Sequence, residues 1–328
     1  MNSRERFRET MNYGQPDRVP LFQEGIRDDV IKMWHGEGLP PGTSLTGLFE
    51  FDRRVEIQPD LLPQPAMKQW PLTRSDLKAF AGNLNPDDPG HLPGDWEERV
   101  QEWSTQDNTI MLRVHRGLYQ TLGVSDWQGF ANVNYLLIDD PGLVHDILAI
   151  QANFAAQLVQ GILSEVAVDA AIFSEPISDN NGPLISPGMF AEFGFPSYMP
   201  LLDVLRRAGV QTIIFRSYAN ARILLPVIIA WGFNCLWACE ENFGEMDYGP
   251  IRQEFGRDLR LIGGIDVDVL RQNREMIRRE VMDKVPPLVA EGGFIPLADG
   301  RIRDNMPYEN YVYYRRLLEK AVCGEILV

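Results

Sequence analysis

Cysteine is scarce in this chain, with only Cys235, Cys239 and Cys323 among 328 residues. So few thiols argue against a disulfide framework, and no CxxC pair offers the usual redox or metal motif. Long apolar runs are also missing: none approaches the roughly 18–20 residues that a membrane span needs. The opening stretch MNSRERFRET carries charge where a secretory signal would carry an apolar core. A cytoplasmic location without membrane association is the expectation. A basic surplus is absent too. Lys and Arg number 31 against 46 Asp and Glu, a net charge of −15 that disfavours nucleic acid and anionic lipid. There is no Ser-His-Asp order and no glycine-rich phosphate turn after the first strand candidate. What is present is an ordinary globular composition, 45% hydrophobic and 23% charged, in a length that suits one large α/β domain or two small ones.

Residues 1–12 read as an amphipathic helix, and residues 14–20 as a turn into a strand. Five later segments share one format, an apolar run closed by polar or charged residues: 170–175, 212–217, 233–240, 259–266 and 293–299. Helical spacing fills the gaps, as in Tyr198 to Ala208 and Ile277 to Ala290, with glycines at 209, 232 and 292 as stops. Short continuous apolar strands alternating with helices indicate a parallel sheet covered on both faces. Val19–Glu24, Val55–Ile57 and Ile110–His115 supply strands one to three, and the Pro-, Asp- and Trp-rich stretch 58–108 is a long insertion before the third. The count of eight predicts a single-domain (β/α)8 TIM barrel over 1–328 with an N-terminal helical extension. An open doubly wound sheet is the alternative.

In a barrel the polar residues at strand C-termini converge on one rim. That rule selects Glu24, His115, Arg116, Glu175, Arg216, Tyr218, Asn220, Cys239, Glu240, Asp266, Asp299 and Arg301. Arg216 follows a buried strand and needs an acid or an anionic ligand. Either it holds a substrate carboxylate together with Arg301, or it forms a structural bridge to Glu175 or Asp266. Glu175, Glu240 and Asp266 form an acidic set for general acid–base work, with Tyr218 beside them. Asn220, Asp299, His115 and Glu24 complete the expected substrate contacts. Cys239, Glu240 and Glu175, with His115, offer a non-standard zinc set as an alternative role.

Segments along the whole chain, in order, resemble the uroporphyrinogen decarboxylase superfamily, which includes zinc-dependent, corrinoid-linked methyltransferases. They are Arg4–Arg8 with Pro16–Pro20, Ser174–Pro176 with Ile185–Pro187 and Phe190–Pro196, Ala208–Asn220, Leu261–Asp266, and Gly292–Phe294 with Pro307–Asn310. The resemblance implies a barrel with its site at the C-terminal mouth, and a homodimer. Two departures qualify the activity. The methyltransferases carry a His-x-Cys zinc pair where this chain has Arg216 and Tyr218, and Gly300 stands near their third thiolate. The decarboxylases carry an arginine-rich segment where Phe22–Asp29 has one arginine among three acids. The resemblance implies methyl transfer from a small methylated substrate to a corrinoid carrier protein, with zinc as the associated metal. Decarboxylation of uroporphyrinogen or another carboxylate is the alternative, and a non-catalytic ligand-binding barrel the third reading.

Overall fold

The computed structural model describes residues 1–23, 25–67, 69–239 and 245–324. It packs as two compact units. One is built from Val55–Gln106 and Ile110–Phe233, the other from Met1–Arg54, Asp107–Thr109 and Asn234–Val328.

The first unit takes four strands, β1 (Arg54–Ile57), β2 (Thr109–His115), β3 (Ala170–Glu175) and β4 (Thr212–Tyr218), in that spatial order. The β2–β3 and β3–β4 pairs are parallel. Every residue of β3 is buried, as its apolar sequence Ala-Ala-Ile-Phe requires of a strand covered on both faces. Helix Pro141–Glu165 starts at Asp140, whose side chain accepts from Leu143 N, and buries twelve side chains. By length and composition it would span a membrane, at a mean hydropathy of 1.3, but 56% of that window is buried in the protein. Helix Phe195–Arg207 follows a π-helical turn at Phe190–Gly194. The 58–106 insertion is an irregular layer with two short helices, where Trp96 and Trp103 meet edge to face and Trp96 Nε1 donates to Glu165.

The second unit holds β5 (Cys235–Cys239), β6 (Arg260–Ile265) and β7 (Phe294–Ala298), parallel and in sequence order. Between them run helices Tyr248–Phe255 and Arg274–Glu291. The expected N-terminal helix is Ser3–Met11, opened by a capping box between Asn2 and Glu5. The expected first strand, Val19–Glu24, does not form among the described residues. Pro20 has no N–H to donate, and the Leu21 N–H goes to the Asp52 carboxylate instead of a ladder. A lone parallel bridge, Ile26 to Ile302, stands just beyond it. Besides a two-residue hairpin, the described residues therefore carry seven strands where eight were expected.

Candidate functional site

Three charged side chains meet on one face of the first unit's strands: Glu56 from β1, Arg113 from β2 and Arg216 from β4. Arg113 donates to Glu56 Oε1 from Nε (3.1 Å) and Nη2 (2.7 Å). Arg216 donates in a fork, Nη1 to Oε1 (3.1 Å) and Nη2 to Oε2 (2.9 Å), and Gln58 adds a fifth bond. Side-chain exposure is 7% for Arg216, 18% for Glu56 and 30% for Arg113, so Arg113 is the member that solvent reaches. Burial works to raise the Glu56 carboxyl, but the bonds and charges of Arg216 and Arg113 outweigh it and hold it below its ordinary range. Two guanidiniums thus share one carboxylate. Among the described residues Arg216 pairs with Glu56, where the sequence suggested Glu175 or Asp266.

Strand alternation explains the difference. Side chains paired across a parallel ladder share a face, and neighbours along a strand oppose. Arg216 pairs with Ser174, and Ser217 with Glu175. Glu175 therefore points to the other face, into the helix layer. The β2–β3 register runs from Arg113↔Ile172 directly to His115↔Phe173, a bulge that places one extra residue in β2. Without it His115 would share the face of Arg113; with it, His115 joins Phe173 and Glu175. Both expected site residues are accordingly buried among helices, His115 at 5% and Glu175 at 1% exposure.

In that layer Glu175 is fully engaged. Tyr198 of helix Phe195–Arg207 donates its hydroxyl to Oε2, and Leu118 N, an orphan donor at a helix start, bonds both oxygens. Gly117 makes this approach possible. Its φ of +109° is open to glycine, and a Cβ there would stand 2.8 Å from Pro176 and 3.0 Å from Glu175. Burial pushes the Glu175 carboxyl up to about 7, against the opposing pull of its Tyr198 and Leu118 bonds. Burial also raises the Tyr198 phenol, with the neighbouring carboxylate adding to it. His115 stacks edge-on against Tyr198 at 4.5 Å and accepts Gly117 N at Nδ1. Burial, then Arg116, pushes the imidazole down to about 3, so it is neutral at ordinary pH.

Beyond Arg216 the strand end is strained. Ala219 sits at φ +52°, a region few non-glycine residues occupy. Asn220 N donates to Asp179 O of the Ser178–Pro183 hairpin, and its side chain accepts from Arg222 N. Tyr218, half-buried, lies two residues beyond Arg216 and so on the same face.

The remaining candidates belong to the second unit or outside the described residues. Cys239 is half-buried at the end of β5. Asp266 caps the turn after β6 through Asp268 N, and burial raises its carboxyl. Asp299 is buried and accepts Val267 N, while Arg301 is exposed. Glu24 and Glu240 lie outside the described residues. In the expected zinc set both Glu175 oxygens are taken by protein donors, and among the described residues, which exclude Glu240, no three His, Cys, Asp or Glu side chains cluster as a metal site. Sequence reading missed Glu56, Arg113 and Tyr198. The available signal was a single charge inside a short apolar strand, Val55-Glu56-Ile57 and Met111-Leu112-Arg113-Val114.

The family described as Uroporphyrinogen decarboxylase (URO-D) matches residues 124–296. No curated protein matches. Among solved structures, the chain is similar to a methyltransferase from Methanosarcina mazei at 16% identity, with 98% of this chain and 99% of that chain covered and a TM-score of 0.61. It is also similar to a glycosylated endo-β-1,4-xylanase from Gloeophyllum trabeum, at 12% identity, 84% and 89% coverage and a TM-score of 0.45. The first likeness shows a shared α/β fold of TIM-barrel type; the second is too distant to argue from. With more than half of its length matched, the chain belongs to the uroporphyrinogen decarboxylase (URO-D) family.

Proposed function

We propose that the protein is a carboxy-lyase acting on a small carboxylic acid whose carboxylate docks at Arg113 and Arg216. The observation that carries this reading is the gathering of two guanidiniums, Arg113 and Arg216, on one strand face, with Arg113 the more exposed. Planar bidentate donors suit a carboxylate. In the reaction the bond from carbon to carboxylate breaks, CO2 leaves, and the electron pair stays on carbon. A proton then completes the C–H bond. Tyr218, on the Arg216 face, is the donor we assign in this unit.

Titration calorimetry against a panel of small carboxylic acids tests this, followed by 13CO2 release from carboxyl-labelled binders. Affinity should fall at least tenfold in Arg216→Ala and Arg113→Ala proteins that keep wild-type circular dichroism. A wild-type protein that binds no carboxylic acid overturns the proposal.

Methyl transfer to a corrinoid carrier is the second reading, favoured by the name of the Methanosarcina mazei neighbour. Against it stands the replacement of the zinc pair by Arg216 and Tyr218. Methylation of added cob(I)alamin by a methylated substrate, with no labelled CO2, would install it instead.

A further inference from the structure

We infer that a second copy of this chain docks, antiparallel, on the outer face of helix Trp127–Asp139, making a weak twofold dimer. The inference is independent of the carboxylate site.

The helix is apolar on two sides. Val133 and Leu137 are buried in the first unit, and Phe130 packs on Tyr119. Turned away from them, within about 80° of arc, lie Trp127, Ala131, Tyr135 and Ile138. Trp127 is 86%, Tyr135 70% and Ile138 69% exposed. Leu184, also exposed, borders them, since the Tyr119 hydroxyl lies 3.1 Å from Asn134 Oδ1 and 3.5 Å from Leu184 O. Four of the eight large exposed apolar side chains among the described residues thus gather in one place. Such residues scattered singly need no partner, but a patch of them marks a contact surface.

Charge, pattern and area say what covers it. From Trp127 to Ile138 there is no Asp, Glu, Lys or Arg, in a chain that is 23% charged and carries a net charge of −15. A basic partner would find no acid on this stripe, and the chain as a whole repels an anionic lipid surface. A second copy brings the same uncharged stripe, and the stripe is self-complementary. In an antiparallel pair about a twofold axis near residue 133, Trp127 faces Ile138 of the second copy and Ala131 faces its Tyr135. The smallest side chain of the stripe therefore receives the bulky ring. Antiparallel helices also bring opposite macrodipole ends together. Trp127 already stands edge-on to Phe130 at 6.0 Å, so docking costs it little freedom. At about 150–250 Å² for a whole large side chain, the exposed stripe offers about 400–500 Å² per copy. A pair then buries about 1,000 Å², the lower limit of a specific interface, which makes the dimer reversible.

Sedimentation velocity of the full-length protein over about 1–200 μM tests this. The sedimentation coefficient should climb from monomer to dimer, with a dissociation constant in the micromolar range. Association should tighten at least threefold between about 0.02 and 0.3 M NaCl, as the like net charges are screened. Tyr135→Lys and Ala131→Glu should each weaken the dimer at least tenfold with an unchanged melting temperature. An equimolar mixture of the two should recover it, because the antiparallel register sets one beside the other. Should either fail to fold, Trp127→Ser takes its place and should weaken the dimer to the same degree. A wild type that stays monomeric throughout overturns the inference, and so does a dimer that Tyr135→Lys and Trp127→Ser leave intact. A mixture that stays monomeric overturns the antiparallel register and the inference with it. Monomer that instead co-sediments with phosphatidylcholine vesicles, through the same side chains, replaces the second copy with a lipid surface and overturns it too.

Discussion

Replacing Glu175 by Gln should make the protein more stable in alkali and nearly indifferent in acid. The Glu175 carboxyl has a folded-state value of about 7 against 4.5 for the free group. A group whose pKa is raised on folding binds its proton more tightly in the native state. Its stabilising contribution is therefore whole below pH 4.5 and is lost as the pH rises through 7. The difference corresponds to about 3 kcal/mol, with no discount for solvent because the carboxyl is fully buried. His115 works the other way. Its folded value near 3 lies below the ordinary 6.5, so its contribution is whole above pH 6.5 and is lost as the pH falls toward 3. Since His115 is present in both proteins, it cancels in the comparison. Urea unfolding of wild type and Glu175→Gln at pH 5 and pH 8.5 is the assay. Gln can still accept from Leu118 N and the Tyr198 hydroxyl, so at pH 5, half a unit above the free value, the variant should lead by less than about 1 kcal/mol. At pH 8.5 the variant should lead by about 3 kcal/mol. A gap that stays within about 1 kcal/mol across that range would refute the placement of Glu175 as a buried, desolvated acid.

Tyr198→Phe removes a bond that holds the Glu175 value down, so the loss of stability that starts near the free value of 4.5 should continue to higher pH before it levels off; unfolding midpoints at half-unit pH steps would reveal it. Ala219→Gly relieves a left-handed backbone, and the gain should be about 1 kcal/mol, seen as a melting temperature higher by a few degrees. Combining Glu175→Gln with Arg216→Ala should give stability changes that add within about 0.5 kcal/mol, because the two side chains occupy opposite faces of the sheet; Glu56→Gln with Arg216→Ala should depart from additivity by more than that.

The repeat of buried strands was legible because each is a short apolar run that reads the same in any context. Four of the five later segments and both early ones at 55–57 and 110–115 are strands at nearly the expected bounds, and the fifth, 233–240, is one over Cys235–Cys239. The Val19–Glu24 segment misled because its apolar pattern hid Pro20, and because the Asp52 side chain competes for the Leu21 N–H. Site residues were harder to read. A strand-end rule says which residues lie near a rim, but facing depends on register. Glu175 and Arg216 each end an apolar run, yet the ladder offsets them by one residue and sends them to opposite faces. His115 is turned by a bulge that leaves no mark in the sequence. Glu56 and Arg113 lie inside their strands, where the strand-end rule does not look, and nothing local says that the two strands will bring them together with Arg216.

The presence of Arg216 and Tyr218, where the resemblance leads one to expect a His-x-Cys pair, also has a physical logic that the motif alone does not display. A histidine and a cysteine at a strand end are neutral until a metal arrives, so the bare scaffold tolerates them. An arginine on the same inward face is charged at every accessible pH and requires an anion from the moment the chain folds. Glu56 supplies such an anion, and Glu56 in turn is shared with Arg113. Both lie before residue 124, outside the span that matches the family, whereas Arg216 lies inside it. A charge within the matched region is thus met by one that lies before it. The strand face of this unit thus carries fixed positive charge at Arg113 and Arg216, gathered around the Glu56 carboxylate.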